Sequence, residues 1–217
     1  MPLNLDSKEY YSQWQSIPRD ADNWQVSSNQ MWSKAITQVK EFVAENCKSF
    51  LNCGCGIALD YEEFKDSGIE YQGVDITAKF VEAAQKRGVP AQQGSILDLP
   101  FGDNRFDAVY CKDVLMHLLV DDWKKALNEM YRVSRKYVIT LEPAWGADTI
   151  YSLREKYMGE PITKGEDNIL MFFYNIYGIV DIMTWAAGKG LKVQKWSERS
   201  SYNGALGMWQ LTIFTKE

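Results

Sequence analysis

The stretch SFLNCGCG at residues 49–56 constrains this chain most: a short apolar strand ends abruptly in one glycine and then a second. A buried strand that runs straight into G-x-G turns its backbone sharply. The missing Cβ atoms also let a ligand approach the main chain. At the tip of a second strand, IEYQGVD (69–75), stands Asp75, 21 residues after Gly54. A carboxylate so placed is positioned to accept both hydroxyls of an adenosine ribose. Asp75 is also readable as the cap of a helix beginning at Thr77.

The two cysteines of the loop admit other readings, which fit less well. A structural zinc site needs four ligands, usually in two close pairs. Here Cys53 and Cys55 form one C-x-C, Cys47 and Cys111 stand apart, and His117 is the single histidine. No metal site is expected. A redox dithiol usually has the spacing C-x-x-C at a helix start, whereas alternate residues of a strand point in opposite directions. Cysteine then acts here as a small packing side chain.

Around this loop the pattern alternates. An amphipathic helix, SSNQMWSKAITQVKEFVAENC, precedes it, with Ser27 or Ser28 as cap and Met31, Ile36, Val39, Phe42 and Val43 on one face. After the first strand a helical segment is expected from about Ile57, its start offering free N–H groups and a positive dipole end. AKFVEAAQKRG (78–88) reads as a helix closed by Gly88, FDAVYC (106–111) as a strand, DDWKKALNEMYRVSR (121–135) as a periodic helix and KYVITLE (136–142) as an apolar strand. YGIVDIMTWAAGKG (177–190) reads as a last helix, and LKVQKWSE and GMWQLTIFTKE as two closing strands. Strands spaced by helices predict an α/β fold with a parallel sheet covered on both faces.

A dinucleotide fingerprint would carry glycine at position 59, where this chain has Leu59, while Ala58 takes the third small position of G-x-G-x-G. That pattern favours S-adenosylmethionine over a nicotinamide dinucleotide. With GVDITAKFVEAAQKRG, QQGSILDLPFGDNRFDAVYCKDVLMHL and ALNEMYRVSRKYVITLEP added, residues 47–143 resemble a class I S-adenosylmethionine-dependent methyltransferase of the small-molecule, quinone C-methyltransferase-like group. The resemblance implies a Rossmann-like, mostly parallel seven-stranded sheet with an antiparallel C-terminal strand. It also implies one domain over 1–217: an N-terminal helical cap (1–46), a cofactor-binding core (47–142), a lid-like insertion (143–176) and a C-terminal helix and strands (177–217).

Carried over position by position, the resemblance places Gly54, Gly56 and the Cys55 backbone against the methionine part and ribose of the cofactor. Asp75 takes the ribose hydroxyls, Ile76 packs on adenine, Ser95 and Ile96 meet the adenine edge, and the Cys111 carbonyl meets the amino group. Three positions depart from the family: Asn52 and Ser95 stand where it usually has acids, and Ala58 where it often has glycine. SRKY also replaces the usual Pro-Gly-Gly turn, so that connection is expected to be tighter or differently shaped.

Methyl transfer from a sulfonium is an in-line displacement that depends chiefly on positioning, and a base helps only when the acceptor must lose a proton. His117, after the fourth strand, is the candidate base, with the alternative that it orders its own loop. Asp113 and Glu142 are secondary acids near the same edge, each also readable as a cap or a solvated charge. The 8 Trp and 12 Tyr concentrate outside the core, at YYSQW (10–14), NQMW (29–32), PAW (143–145), YSLREKY (151–157) and MFFYNIYG (171–178). They are expected to wall a pocket for a flat or apolar acceptor, with Tyr11 and Trp14 against the cofactor. Arg154 and Lys156 could meet an anionic substrate group or simply be solvated.

A net charge of −5 argues against general nucleic-acid binding. The N-terminus lacks signal-peptide character and no apolar run reaches a membrane span, so a cytoplasmic location is expected. A protein or RNA methyltransferase, a non-catalytic cofactor-binding protein and, more distantly, a dehydrogenase are the alternative readings.

Overall fold

The computed structural model describes residues 7–16, 33–143, 146–154, 156–157, 160–161, 172–173, 175–202 and 205–217. Seven strands form one sheet: β1 (Ser49–Cys53), β2 (Glu70–Asp75), β3 (Ala91–Gln93), β4 (Phe106–Lys112), β5 (Ser134–Pro143), β6 (Lys192–Tyr202) and β7 (Ala205–Thr215). Their order is β6-β7-β5-β4-β1-β2-β3. The five strands from β3 to β5 pair in parallel, and β7 runs antiparallel to both β5 and β6. The expected Rossmann-like sheet is therefore present, with two antiparallel-paired strands at its C-terminal end. Sequence reasoning had not assigned β3, a strand of three residues too short to show a period.

Alternation along the central strands builds two cores. Phe50, Ala108, Tyr110, Ile139 and Ile213 face one side, and Leu51, Cys53, Val109, Cys111, Val138 and Phe214 the other. Helices α2 (Ser33–Asn46) and α3 (Ala78–Lys86) cover the first side with Ala35, Ile36, Val39, Val43, Val81 and Ala84. Helix α4 (Asp122–Val133) and helix α5 (Ile179–Gly188) cover the second, α4 through Trp123, Ala126, Leu127, Met130 and Val133. The spacing of three and four along each helix is what lets one stripe bury itself while the opposite face stays wet. A further helix, α1 (Ser7–Ser12), continues into a 3-10 turn at Gln13–Ser16.

Gly88 ends α3 as expected: it adopts φ 80°, and the Val89 N–H reaches back to the Ala84 carbonyl. The α4–β5 connection is as tight as a connection can be, since the helix ends at Val133 and the strand starts at Ser134. The Lys216 ammonium closes it by donating to the carbonyls of Tyr131 and Ser134 at 2.8 and 2.5 Å. The cap expected at Ser27 or Ser28, Met31, and most of the aromatic insertion over 143–176 lie outside the described residues or have side chains outside them. Among the described residues no helix is long and apolar enough to cross a membrane.

Candidate functional site

At the carboxyl ends of β1, β2 and β4 lies a cleft of about 130 Å³, open to solvent. Its shape begins with the glycine loop. Gly54, Gly56 and Ala58 adopt left-handed φ values of 70°, 55° and 53°. Three such positions in alternation cannot continue as an α-helix, so the helix expected from Ile57 is replaced by a 3-10 turn at Leu59–Glu63. The expected helix dipole is lost with it. Ala58 occupies a conformation that suits glycine, while its methyl is fully buried in the core.

The loop spends its N–H groups on the protein. Those of Gly54 and Cys55 donate to the Val74 carbonyl at 2.7 and 3.0 Å, that of Ala58 to the Cys55 carbonyl at 2.8 Å, and that of Gly56 to Asp75 Oδ2 at 2.7 Å. Asp75 Oδ1 accepts from the Thr77 N–H at 2.8 Å, so the carboxylate also fixes the start of α3. Thr77 itself is the N-cap, and Asp75 holds it from the cleft wall. Burial pushes its carboxyl above the usual range, against the Thr77 and Gly56 bonds. At Gly54 the space a Cβ would need is taken by the protein itself, since that atom would lie 2.3 Å from Val114 Cγ2. Glycine there admits the β4 loop as much as any ligand.

The two loop cysteines separate across the sheet, Cys55 into one core and Cys53 into the other. Burial raises both thiols, which leaves them as packing groups.

Of the other sequence-predicted residues, Asn52, Ile76, Ser95, Ile96 and His117 line the cleft together with Tyr11 and Trp14. Cys111 does not: its thiol is buried and donates to Glu142 Oε1 at 3.6 Å, and the next residues, Lys112, Asp113 and Val114, face the cleft instead. Sequence reasoning missed Asp60 and Lys112. Asp60 is 4% exposed and lines the cleft, held by Asn52 Nδ2 at 2.8 Å and by the Tyr71 hydroxyl at 3.4 Å. Its signal was present as an acid eight residues beyond a position that lacks one.

Glu142 is neither solvated nor at the cleft surface. It is 3% exposed and accepts the N–H groups of Val114 and Leu115 on Oε1, each at 2.9 Å, and that of Met116 on Oε2 at 3.3 Å. It therefore caps the 3-10 turn Leu115–His117 that carries the candidate base. Burial first, and then the Asp113 charge, push its carboxyl up to about 8.

The N-terminal segment crosses the mouth of the cleft as a strap. Tyr10 donates to the His117 carbonyl at 2.6 Å, and the Tyr11 hydroxyl donates to Asp122 Oδ2 at 2.7 Å while accepting the Leu119 N–H. Burial and the Asp122 bond hold the Tyr11 phenol well above its ordinary range. On the other side Gln15 donates to the Ile76 carbonyl and accepts the Ala78 N–H at 3.1 Å. Between these anchors the Trp14 ring lies 5.4 Å from that of His117.

Residues 51–139 match the family model of the methyltransferase domain. An uncharacterised Methanocaldococcus jannaschii protein is 32% identical over 133 residues, covering 58% of this chain and 55% of that one. A demethylmenaquinone methyltransferase of Corynebacterium urealyticum is 30% identical over 137 residues, 61% and 58% of the two chains. The chain thus spans little more than half the length of these curated relatives. In fold it resembles the magnesium protoporphyrin IX methyltransferase of Synechocystis, solved with bound S-adenosylmethionine, at a TM-score of 0.70 and 14% identity over the whole of both chains.

Proposed function

We propose that this chain transfers a methyl group from S-adenosylmethionine to a small-molecule acceptor. The observation that carries the reading is the glycine loop. Its N–H groups at Gly54, Cys55, Gly56 and Ala58 are already bonded within the protein, and Asp75 stands beside them in the cleft. A dinucleotide would need such N–H groups for its pyrophosphate. A ligand without phosphates needs only the close backbone and a ribose partner.

The residues present fit that cofactor. The Asp75 carboxylate takes the N–H groups of Gly56 and Thr77 and the Thr77 side chain, and its two oxygens retain acceptor capacity for a ribose hydroxyl. Ile76 and Phe80 provide apolar cover for adenine, and Ser95 a polar edge. Bound there, S-adenosylmethionine supplies an electrophilic methyl group on a sulfonium. The chain's own contribution is to hold an acceptor in line and to exclude water, which is worth roughly 7–11 kcal/mol of the barrier in well-oriented systems. Trp14 and Tyr11, on the strap, wall the cleft, and His117, which lines it, is the residue that would take a proton from an acidic acceptor.

Isothermal calorimetry with S-adenosylmethionine, S-adenosylhomocysteine and NAD tests the reading. The first two should bind and NAD should not. NAD binding without a response to the others would overturn it. Cofactor turnover with panels of phenols, amines and quinones, and with RNA, then separates small-molecule from macromolecular acceptors.

A further inference from the structure

The segment leading into α5 holds the turn that carries His117. Ile176 makes a β-bridge with Ile150, exchanging main-chain bonds at 2.7 and 3.0 Å, and the Tyr177 carbonyl accepts the Gly146 N–H at 2.9 Å. Alternate side chains of such a segment share a face, so Asn175 and Tyr177 act together. Both are buried, and both reach the turn Leu115–His117.

Between them they take its carbonyls. The Asn175 N–H donates to Met116 and the amide Nδ2 to Leu118, each at 2.8 Å. Nδ2 also donates to the Tyr177 hydroxyl at 3.3 Å, and that hydroxyl donates to Leu115. The amide orientation is thereby fixed, because the Tyr177 proton is spent on Leu115 and both groups facing Nδ2 are acceptors. The His117 carbonyl itself goes to Tyr10 on the strap. With Glu142 on the N–H groups of residues 114–116, the turn is bonded from outside on both its N–H and carbonyl sides. A three-residue 3-10 turn has almost no cooperativity of its own, so these outside bonds decide where its side chains stand.

Resting on the methyl-transfer reading above, we infer that Asn175 is a positioning residue for His117. It holds the carbonyls of Met116 and Leu118, the two residues that flank the candidate base, and Tyr177 locks its amide in place. His117 and Leu118 line the cleft, while Asn175 lies behind its wall. In the transfer, an acceptor O–H or N–H gives its proton to the imidazole, the freed lone pair bonds to the methyl carbon, and the C–S bond breaks toward sulfur. Asn175 acts on this step only through where it puts the ring.

His117 is the single histidine of the chain, so the nitrogen-15 signals of its ring need no assignment. Histidine-labelled wild type, Asn175→Leu and Tyr177→Phe are compared by NMR, and their affinity for S-adenosylhomocysteine by calorimetry. Leucine keeps the main-chain bond to Met116 and removes only the amide's contacts. The wild type should show one set of ring signals and a ring contact with Trp14. Asn175→Leu should show several sets or a broadened one and lose that contact, with S-adenosylhomocysteine bound within about threefold of wild type. For any phenol or amine that the wild type methylates, kcat should fall roughly ten- to hundredfold, with the cofactor KM within the same threefold. Tyr177→Phe keeps its ring against Trp123 and should act in the same direction, which covers the case that Asn175→Leu folds poorly. Unchanged ring signals in the folded variants, or a disturbed ring with unchanged kcat, would overturn the assignment. So would a loss of cofactor affinity as large as the loss of kcat, the mark of a merely structural role. These outcomes leave the methyl-transfer reading standing, whereas a wild type that does not bind S-adenosylhomocysteine would remove both.

Discussion

Replacing Glu142 by glutamine should flatten the pH dependence of folding stability between pH 5 and 8. In the native chain burial, then Asp113, lift this carboxyl from 4.5 to about 8, with the N–H groups of Leu115, Val114 and Met116 pulling the other way. A carboxyl raised on folding keeps a proton in the native state that the unfolded chain has already released. Its contribution is therefore fully present below pH 4.5 and is lost as pH rises toward 8. At about 1.4 kcal/mol per pH unit, the group removes roughly 4 kcal/mol of stability between pH 5 and 8. Glutamine does not titrate and removes none. Asp60 and Asp75 are also raised by burial and slope the same way, but both remain in the variant, so the difference between the two proteins isolates Glu142. Urea unfolding at pH 5, 6, 7 and 8 supplies the measurement. The variant should start less stable at pH 5, because an amide offers one acceptor oxygen to a turn with three N–H groups, by about 1–3 kcal/mol. It should match or exceed the wild type by pH 8. Parallel stability profiles would refute the reasoning.

Gly54→Ala should cost about 2–4 kcal/mol, combining left-handed strain with the clash against Val114. Adding Val114→Ala should return only the steric part, and full recovery in thermal melts would contradict the backbone argument. Asp75→Ala should weaken S-adenosylhomocysteine by at least about tenfold, since it removes the acceptor proposed for the ribose; unchanged affinity would remove that role. Tyr11→Phe cuts the strap's bond to Asp122 and its acceptor for Leu119. Release of S-adenosylhomocysteine, followed through Trp14 emission, should quicken by roughly three- to tenfold.

What was legible in the sequence was whatever period or punctuation made local. The strand Ser49–Cys53, the helices Ala78–Lys86 and Asp122–Val133, and the Gly88 stop all follow from spacing and glycine chemistry. The G-x-G and Asp75 pair also stood out, because strand tips fix where such residues meet. The turn at Leu59–Glu63 was misread as the start of a helix, since nothing in IALDYEEF announces that Ala58 is left-handed. Asp60 escaped for another reason, and Glu142 was left open between a catalytic acid, a cap and a solvated charge. Their places depend on Asn52, Tyr71 and the N–H groups of residues 114–116, partners supplied by the tertiary fold rather than by neighbours in the chain. An isolated acid reads as solvated until its burial is known.

The strap gives the site a history in time. Tyr10 and Tyr11 bond to residues 107 and 111 positions further along the chain. At synthesis rates of about 5–20 residues per second, the strap leaves the ribosome roughly 5–20 s before its anchors exist. It is therefore made well before those anchors, and a few side-chain bonds hold most of its far end. A segment of that kind opens locally at a fraction of the cost of global unfolding. The mouth of the cleft is thus crossed by a segment that can lift without breaking any strand pairing, so ligand exchange need not disturb the sheet beneath.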